Sequence, residues 1–465
     1  MKFIKNTNIL NHSWNPIVSR GLICMCFFAM SYNIIIGQDI LPINLETALE
    51  LGGANNLTIQ KSIATRALAD ASVVKSKEWW VPELYGGIQT HQLSGAAMNS
   101  DGRYALGIDR NSLWMGLGLD LSWDLEDGIY KTKIAKLQQE AVTHKTQAIR
   151  NKSLLSIIES YYNLTESQLM MHAYEQLIDQ AGTLASQLEI QTQAGLQYQS
   201  DYLLAKSNVN HLRVQMLQAK GEYQEHSAGL IQLLNLEDAH ELVATDTILL
   251  PIELMNNQAE QMVNGEDLAT VYTARPELQE EFSLLESLKL ERKAEAVGFV
   301  LPKFSLNAYI SSFGGLSGPV VPLEAIAFPD PQQLYGTQTL NMSLMWKIPI
   351  ARFTSKGGLK EYDAQLNHRV SSIELQKSHI RQEIKLAQNA LGVARHQVDL
   401  SREGSQYAQE ALNQGIARQD LGTGRPYEIL QAQEIYINSR LDYIRAIMNY
   451  NMAQYKLYVA SGNNL

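Results

Sequence analysis

The sequence offers few side chains whose type and spacing could support catalysis or metal binding. Glu237-Asp238-Ala239-His240-Glu241 groups carboxylates around a histidine, and Met170-Met171-His172 combines ligand types that suit copper or silver. We interpret the first run as a solvent-exposed connecting segment and not as a ligand cluster, and the second as residues that pack a helix. The sequence contains no HExxH, GxSxG or P-loop motif, and no serine, histidine and aspartate at triad spacing. We therefore predict no catalytic, cofactor-binding or metal-binding residues and no enzyme activity.

The amino-terminal segment indicates the compartment. Three basic residues precede the apolar run Gly21–Ile36, and Gly37 then supplies the small residue at which signal peptidase cuts. The run is short for a membrane-spanning helix, which needs about 20 apolar residues. We predict a signal peptide at residues 1–37 and a mature chain that begins near Gln38.

Both cysteines, Cys24 and Cys26, lie inside that segment, and the residues around them do not fit a lipoprotein box. We expect a mature chain without a thiol, a disulfide or a lipid anchor, which excludes cysteine catalysis and cysteine-bound zinc. Loss of the segment's three basic residues takes the formal net charge from −10 to −13. An acidic, exported chain is a poor candidate for nucleic-acid binding, because that function needs basic surface.

The chain is an internal duplication. Near the start of each half, Pro82 and Pro302 differ by 220 positions and Trp123 and Trp346 by 223. Further along, a shift of 227 residues pairs identical residues without a gap: Gly195/Gly422, Leu203/Leu430, Ala205/Ala432, Arg213/Arg440, Ala219/Ala446, Tyr223/Tyr450 and Leu230/Leu457. Ordered matches with a growing offset indicate two repeats, which we place at residues 38–250 and 251–465.

Each repeat is predicted to contain very long helices. Neither glycine nor proline occurs between Gly128 and Gly182, and no proline occurs between Pro349 and Pro426. Apolar residues in 154–178 recur at spacings of three and four, which is typical of a packed helix face. A helix over about 141–194 would be roughly 80 Å long at 1.5 Å per residue. Such a length indicates coiled-coil packing against neighbouring helices.

Two segments of alternating apolar and polar residues precede the long helices of each repeat. They predict strands at about 84–91, 113–125, 303–312 and 338–348. Trp123 and Trp346 lie at the strand ends nearest the long helices, where aromatic residues of a membrane interface would lie. A soluble hairpin whose apolar face covers a core is the alternative. Four strands cannot close a barrel, so strands that insert into lipid require several subunits to share one.

Together these features resemble the TolC family of outer-membrane efflux proteins over about residues 45–462. The most specific likeness is at the hairpin tips, where the family's Val-Gly-Leu and Val-Gly-Thr stand here as Ala194-Gly195-Leu196 and Leu421-Gly422-Thr423. The resemblance implies a mostly α fold with a small transmembrane β part. Three subunits would build a periplasmic tunnel from long helical hairpins and a shared twelve-stranded barrel from four strands each. It also implies an adaptor protein that docks at the tips, and an inner-membrane transporter.

The resemblance implies roles for residues that follow the tips. Glu428 would belong to a ring of carboxylates at the pore constriction, and the family's second ring carboxylate is Gln431 here. The family's gate-locking arginine falls on Gly424, so Arg425, one position along, is the candidate to pair with Asp201 as a gate. Carboxylates near helix starts also cap free N–H groups, and glycines also end helices, so purely structural roles stay open.

We therefore predict a passive exit duct in the outer membrane of a Gram-negative bacterium, spanning into the periplasm and contacting outer-membrane lipid. It would serve a tripartite efflux pump or a type I secretion system, without cofactors. The alternative function is that of a secreted coiled-coil structural or adhesive protein. Drugs, metal ions and secreted proteins all stay open as substrates.

Overall fold

The structure is a computed structural model that describes residues 40–98, 102–237, 239, 241–246, 248–254, 268–317, 335–348, 350–421 and 423–465. The predicted signal peptide with both cysteines lies outside the described residues, and so does Gly422 at the second hairpin tip.

The first repeat consists of short helices, a strand pair and a helical hairpin. A 3₁₀ turn at Glu78–Trp80 leads into the strands, and a π-helical turn at Asp127–Lys131 leads into the hairpin. Its elements are β1 (Ile40–Ile43), α1 (Leu45–Asn55), α2 (Leu57–Ser76), β2 (Glu83–Met98), β3 (Tyr104–Asp124), α3 (Thr132–Gln193), α4 (Gln199–Leu234) and β4 (Glu241–Ala244).

The second repeat follows the same order. Its elements are α5 (Leu268–Ala274), α6 (Pro276–Val297), β5 (Lys303–Ser317), β6 (Tyr335–Met345), α7 (Ala351–Thr354), α8 (Gly357–Asp420) and α9 (Pro426–Ala460). The 227-residue shift carries the end of α3 onto the end of α8 and the start of α4 onto the start of α9. With 62 residues in α3 and 64 in α8, the prediction of very long helices is confirmed.

The four long strands form one antiparallel sheet in the order β2-β3-β5-β6. The ladder reaches further than the alternating pattern predicts, because main-chain pairing continues through Gly- and Ser-rich sequence as far as Met98/Tyr104 and Asn111/Ser317. The predicted spans 84–91 and 303–312 are therefore too short at their carboxyl ends, and β3 begins before residue 113. At the other side of the sheet, β6 ends at Met345, three residues before the predicted end.

The two faces of this sheet differ in polarity. Directly paired residues share a face, so the observed register places most of the aliphatic residues of the four strands on one face. On the apolar face the exposed large hydrophobic side chains are Leu84, Ile88, Met115, Leu117, Ile310, Leu340, Met342 and Leu344. The opposite face carries Tyr85, Asp120, Ser122, Ser305, Asn307, Asn341 and Ser343. Within the described part of the chain, one sheet face is therefore apolar and exposed, and β2 and β6 are edge strands that no other strand pairs with.

The hairpin helices are ordered α4–α3–α9–α8 across the chain, because α3 contacts α4 and α9, and α9 contacts α8. The predicted packed face of α3 is buried: Leu154, Ile157 and Tyr161 belong to the core beside α4, and Ile158 belongs to the core shared with α8 and α9. Helices α2 and α6 cover α3, and α6 also packs on α8. Helices α4 and α8 therefore form the two outer edges of the helical layer.

Equivalent side chains fasten each hairpin to the rest of its repeat. The Asn56 side chain caps α2 and donates a 2.8 Å hydrogen bond to the carbonyl of Leu233 at the end of α4. A shift of 227 carries Leu233 onto Ala460, whose carbonyl accepts a 3.2 Å hydrogen bond from the Arg275 guanidinium. Arg275 stands directly before α6, just as Asn56 stands directly before α2. Both repeats therefore join the start of a short helix to the last turn of a long one.

None of the helices in the described part of the chain is both long and apolar enough to span a membrane.

Candidate functional site

The first hairpin tip is a Schellman turn built on Gly195. The amide of Leu196 donates to the carbonyl of Gln191 at 2.8 Å, and the amide of Gly195 donates to that of Thr192 at 3.0 Å. This pair of bonds closes the end of α3 and requires a left-handed residue, which Gly195 supplies with φ +74°. A Cβ at Gly195 would meet no other atom within 4 Å, so the backbone conformation alone explains the glycine. Ala194 and Leu196 are exposed beside it.

The second tip has the same closing bond at the shifted position. The amide of Thr423 donates to the carbonyl of Arg418 at 2.9 Å, and the residue that caps the end of α8, Leu421, is 78% exposed. The same carbonyl also accepts bonds from the Thr423 hydroxyl at 3.1 Å and the Gly424 amide at 3.0 Å. The carbonyl of Arg418 is thus the acceptor for the hydrogen bonds that close this turn.

The family's gate-locking arginine would fall on Gly424, and the structure shows why a side chain does not fit there. A Cβ there would lie 2.8 Å from the backbone nitrogen of Gln419 and 3.1 Å from the carbonyl carbon of Arg418. Both are backbone atoms, so a side chain at residue 424 would force the turn open. The close return of the chain therefore requires glycine.

Asp201 and Glu428 occupy equivalent places in the two hairpins. Each is the third residue of a return helix, after the caps Tyr198 and Arg425, and the 227-residue shift pairs them. Carboxylates in the first turn favour the helix dipole. Gln431 lies one turn after Glu428, and both side chains are exposed on the same face of α9.

Glu428 has an ionic partner that the sequence analysis missed. The Arg418 guanidinium lies 3.7 Å from a Glu428 carboxylate oxygen, with the two side chains 60% and 47% exposed. Among the described side chains, no ion pair joins Asp201 to Arg425, and that gate pair stays a prediction. The sequence signal for this pair is that Arg418 lies one turn before the tip. Because the chain reverses at the tip, a residue there lies opposite the start of α9, which carries Glu428.

Residues 49–236 match the family described as "Outer membrane efflux protein". The first repeat is therefore similar to this family. The matched region covers the first repeat almost completely, and the second repeat copies its element order. This match gives no support to the alternative of a secreted coiled-coil protein. No curated protein is similar in sequence to this chain at a significant level.

Solved structures of outer-membrane channels share this fold. The Campylobacter jejuni CmeC outer membrane channel is 16% identical, with a TM-score of 0.71 over 90% of this chain and 85% of CmeC. The open state of the Neisseria gonorrhoeae MtrE outer membrane channel is 15% identical, with a TM-score of 0.69 over 90% of this chain and 89% of MtrE. The outer membrane protein VceC from Vibrio cholerae is 13% identical, with a TM-score of 0.68 over 90% of this chain and 96% of VceC.

The two tryptophans lie at the end of the sheet nearest the long helices. Trp123 is on the apolar face near the end of β3, stacks near Phe304 at 5.5 Å between ring centroids, and donates from its indole nitrogen to the carbonyl of Trp80 at 2.9 Å. Trp346 directly follows β6 and is exposed. A partly solvated ring with a bonded indole N–H, as in Trp123, and an exposed ring, as in Trp346, both suit an aromatic residue at a membrane interface.

The described residues contain no cluster of three potential metal-ligating histidine, cysteine or acidic side chains. Within the Met170-Met171-His172 run, Met170 is buried in the hairpin core, whereas His172 lies at the surface beside Glu175 at 3.2 Å. The run therefore does not converge on one point. In the acidic run, Asp238 and His240 lie outside the described residues.

Proposed function

We propose that this chain is one subunit of a homotrimeric exit duct that crosses the outer membrane and extends into the periplasm. Substrates would pass through it passively, without chemistry or a cofactor, in a tripartite efflux pump or type I secretion system. An inner-membrane transporter would supply the energy, and a periplasmic adaptor would couple the two. The mature subunit would carry no lipid anchor.

The observation that carries this proposal is the incomplete sheet. One face is apolar, the other is polar, and the strands β2 and β6 have unpaired edges. In lipid, backbone groups at an edge have no water to bond, so such a sheet is stable only inside a closed barrel. Three copies would give twelve strands, with the apolar face toward lipid and the polar face toward the lumen.

The helical layer is incomplete in the same way. On α8, the exposed residues Leu386, Val393, Leu400 and Tyr407 recur every seven positions, beside the seam that α8 buries in its own chain. On α4, Leu203, Val214 and Leu217 are exposed at spacings that fit a second seam. Apolar residues that recur in heptads form the surface on which a neighbouring helix packs in a coiled coil. Because α4 and α8 are the outer helices, we propose that α8 of one subunit packs on α4 of the next.

The remaining roles follow from this assembly. Glu428 and Gln431 would face the lumen at the periplasmic constriction, and Asp201 with Arg425 is the candidate gate pair between hairpins. The exposed tip residues Ala194, Gly195, Leu196, Leu421 and Thr423, together with Gly422, would contact the adaptor. Trp123 and Trp346 would lie at the membrane interface.

Disulfide crosslinking tests the assembly directly, because the only native cysteines lie in the predicted signal peptide. Leu400 on α8 and Leu217 on α4 lie at nearly equal distances from their tips. The variant Leu400→Cys/Leu217→Cys should therefore form covalent trimers on oxidation. Arg402→Cys/Leu217→Cys is the matched control, because residue 402 points about 200° away around the helix. Equal crosslinking in both variants, or none in either, would contradict the proposed packing.

Conduction tests the duct itself. Purified protein in a planar lipid bilayer should give ion channels, and Glu428→Ala should lower their preference for cations because it removes the ring carboxylate. The absence of any conductance from correctly assembled trimers would refute the exit-duct function. Unchanged selectivity in Glu428→Ala would remove that residue from the pore while leaving the duct intact.

A further inference from the structure

We infer that Arg418 is the counter-charge of Glu428 and limits the cation selectivity of the periplasmic constriction. This inference rests on the exit-duct function proposed above and assigns a selectivity role to a residue outside the predicted ring. The two side chains approach to 3.7 Å across the second hairpin tip. Each carries about half or more of its surface in solvent, so both can act on ions in a water-filled lumen.

The turn itself holds Arg418 in this place. Three donors bond to the Arg418 carbonyl: the amide and hydroxyl of Thr423 and the amide of Gly424. These bonds fix the main chain of Arg418 against the loop that leads to Glu428. Gly424 permits this close return, since any Cβ there would touch the backbone of Gln419. The turn thus sets the separation of the two helix ends from which the side chains extend.

The first hairpin provides an internal comparison. The 227-residue shift carries Glu428 onto Asp201 and Arg418 onto Gln191. Gln191 cannot supply a positive charge, and its buried amide oxygen has no hydrogen-bond partner. The same closing bond therefore exists in both hairpins, but among the described side chains only the second hairpin pairs its carboxylate with an arginine. The ion pair is a property of these two residues and not of the fold.

In a trimer, the three Glu428 carboxylates would be matched by three Arg418 guanidinium groups. A cation entering the constriction then meets a ring of ion pairs in place of a ring of bare negative charges. Exposed ion pairs are weak and are screened by salt, so the arginine reduces the negative potential without removing it. The wild-type duct should accordingly be only modestly cation-selective, and its selectivity should respond to the loss of either partner.

The test is a double-mutant cycle on selectivity, read from the reversal potential of single trimers in a salt gradient. Arg418→Gln should raise the cation-to-anion permeability ratio about two- to fivefold, the range that a surface ion pair supports. In the Glu428→Gln background the same substitution should change the ratio far less, because the carboxylate that it unmasks is gone. The effect should also shrink at high ionic strength, where the Debye length is about 3 Å.

Arg402→Gln is the matched control, since it removes the same charge from the same helix at a residue paired with Asp399, away from the tip. It should leave the permeability ratio unchanged. The swap Arg418→Glu/Glu428→Arg, which keeps three charges of each sign, should return toward wild-type selectivity. An equal effect of Arg418→Gln in both Glu428 backgrounds, or no effect in either, would overturn the inference. Wild-type trimers that fail to conduct would instead refute the exit-duct function.

Discussion

Arg275→Ala should loosen the junction between the second hairpin and the helices that cover it. The Arg275 side chain is only 5% exposed and donates to Glu277 at 3.0 Å, to Glu383 at 2.7 Å, and to the carbonyl oxygens of Val459 and Ala460. It therefore joins the start of α6, the middle of α8 and the last turn of α9. Alanine removes all of these bonds at once.

The cost can be worked out from the exposure of each partner. Leaving buried carbonyl groups without their donor costs about 1–3 kcal/mol. Glu383 is 49% exposed and Glu277 is 32% exposed, so water can solvate both carboxylates again, and their loss adds at most about 1 kcal/mol. We expect local destabilisation of about 1–4 kcal/mol, the sum of these two contributions.

Hydrogen–deuterium exchange measures this effect without requiring two-state unfolding of a large assembly. A loss of 2 kcal/mol should speed exchange at the end of α9 and the start of α6 by about 30-fold, if these segments exchange by local opening. Arg292→Ala is the control, because its ion pair with Asp363 is exposed and its loss should change exchange little. Unchanged protection at both segments in Arg275→Ala would refute the assigned role.

Three further changes test other parts of the molecule. Asn56→Ala removes both the cap of α2 and the bond to Leu233, so it should destabilise the first repeat by about 1–3 kcal/mol, with faster hydrogen exchange at the end of α4. Gly195→Val forces a β-branched residue into φ +74°, at a cost of about 1–2 kcal/mol. Trimers should still form in detergent, while adaptor-dependent export should fall. A failure of the variant to assemble would show that Gly195 serves only the turn. Burial raises the pKa of Tyr161 and of Tyr162 above the usual value. The folded chain therefore keeps phenol protons that the unfolded chain loses near pH 10. The free energy of unfolding should be constant below that pH and should fall as the pH rises further. An unfolding midpoint independent of pH in this range would contradict the burial of the two hydroxyl groups.

The hairpins could be predicted because their sequence signals are local and repeated. Proline-free runs allow long helices, and a glycine at the tip supplies the left-handed residue that a Schellman turn needs. The 227-residue offset added independent support, since it aligns the ends of all four long helices. The strand lengths were less accurate, because ladder bonds through Gly- and Ser-rich sequence depend on the neighbouring strand and not on the alternating pattern.

Residues whose importance depends on a distant partner could not be predicted. Arg275 acts on Ala460, which is 185 positions away, and nothing in the pattern around either residue indicates that contact. Arg418 is missed for a different reason: the family pattern has its arginine after the tip glycine, whereas the arginine that pairs with Glu428 in this chain lies before it. The clash at Gly424 explains why the arginine cannot occupy position 424 itself.

The order of the elements links assembly to membrane insertion. In the sheet the free edges are β2 and β6, and in the helical layer they are α4 and α8. At both levels one free edge belongs to the first repeat and the other to the second. A single rotation that brings α8 of one subunit onto α4 of the next would therefore also bring β6 toward a neighbouring β2. Open strand edges are unstable in lipid. We therefore expect the helices of neighbouring subunits to pack before the strands insert, so that the strands are already in position when the barrel closes.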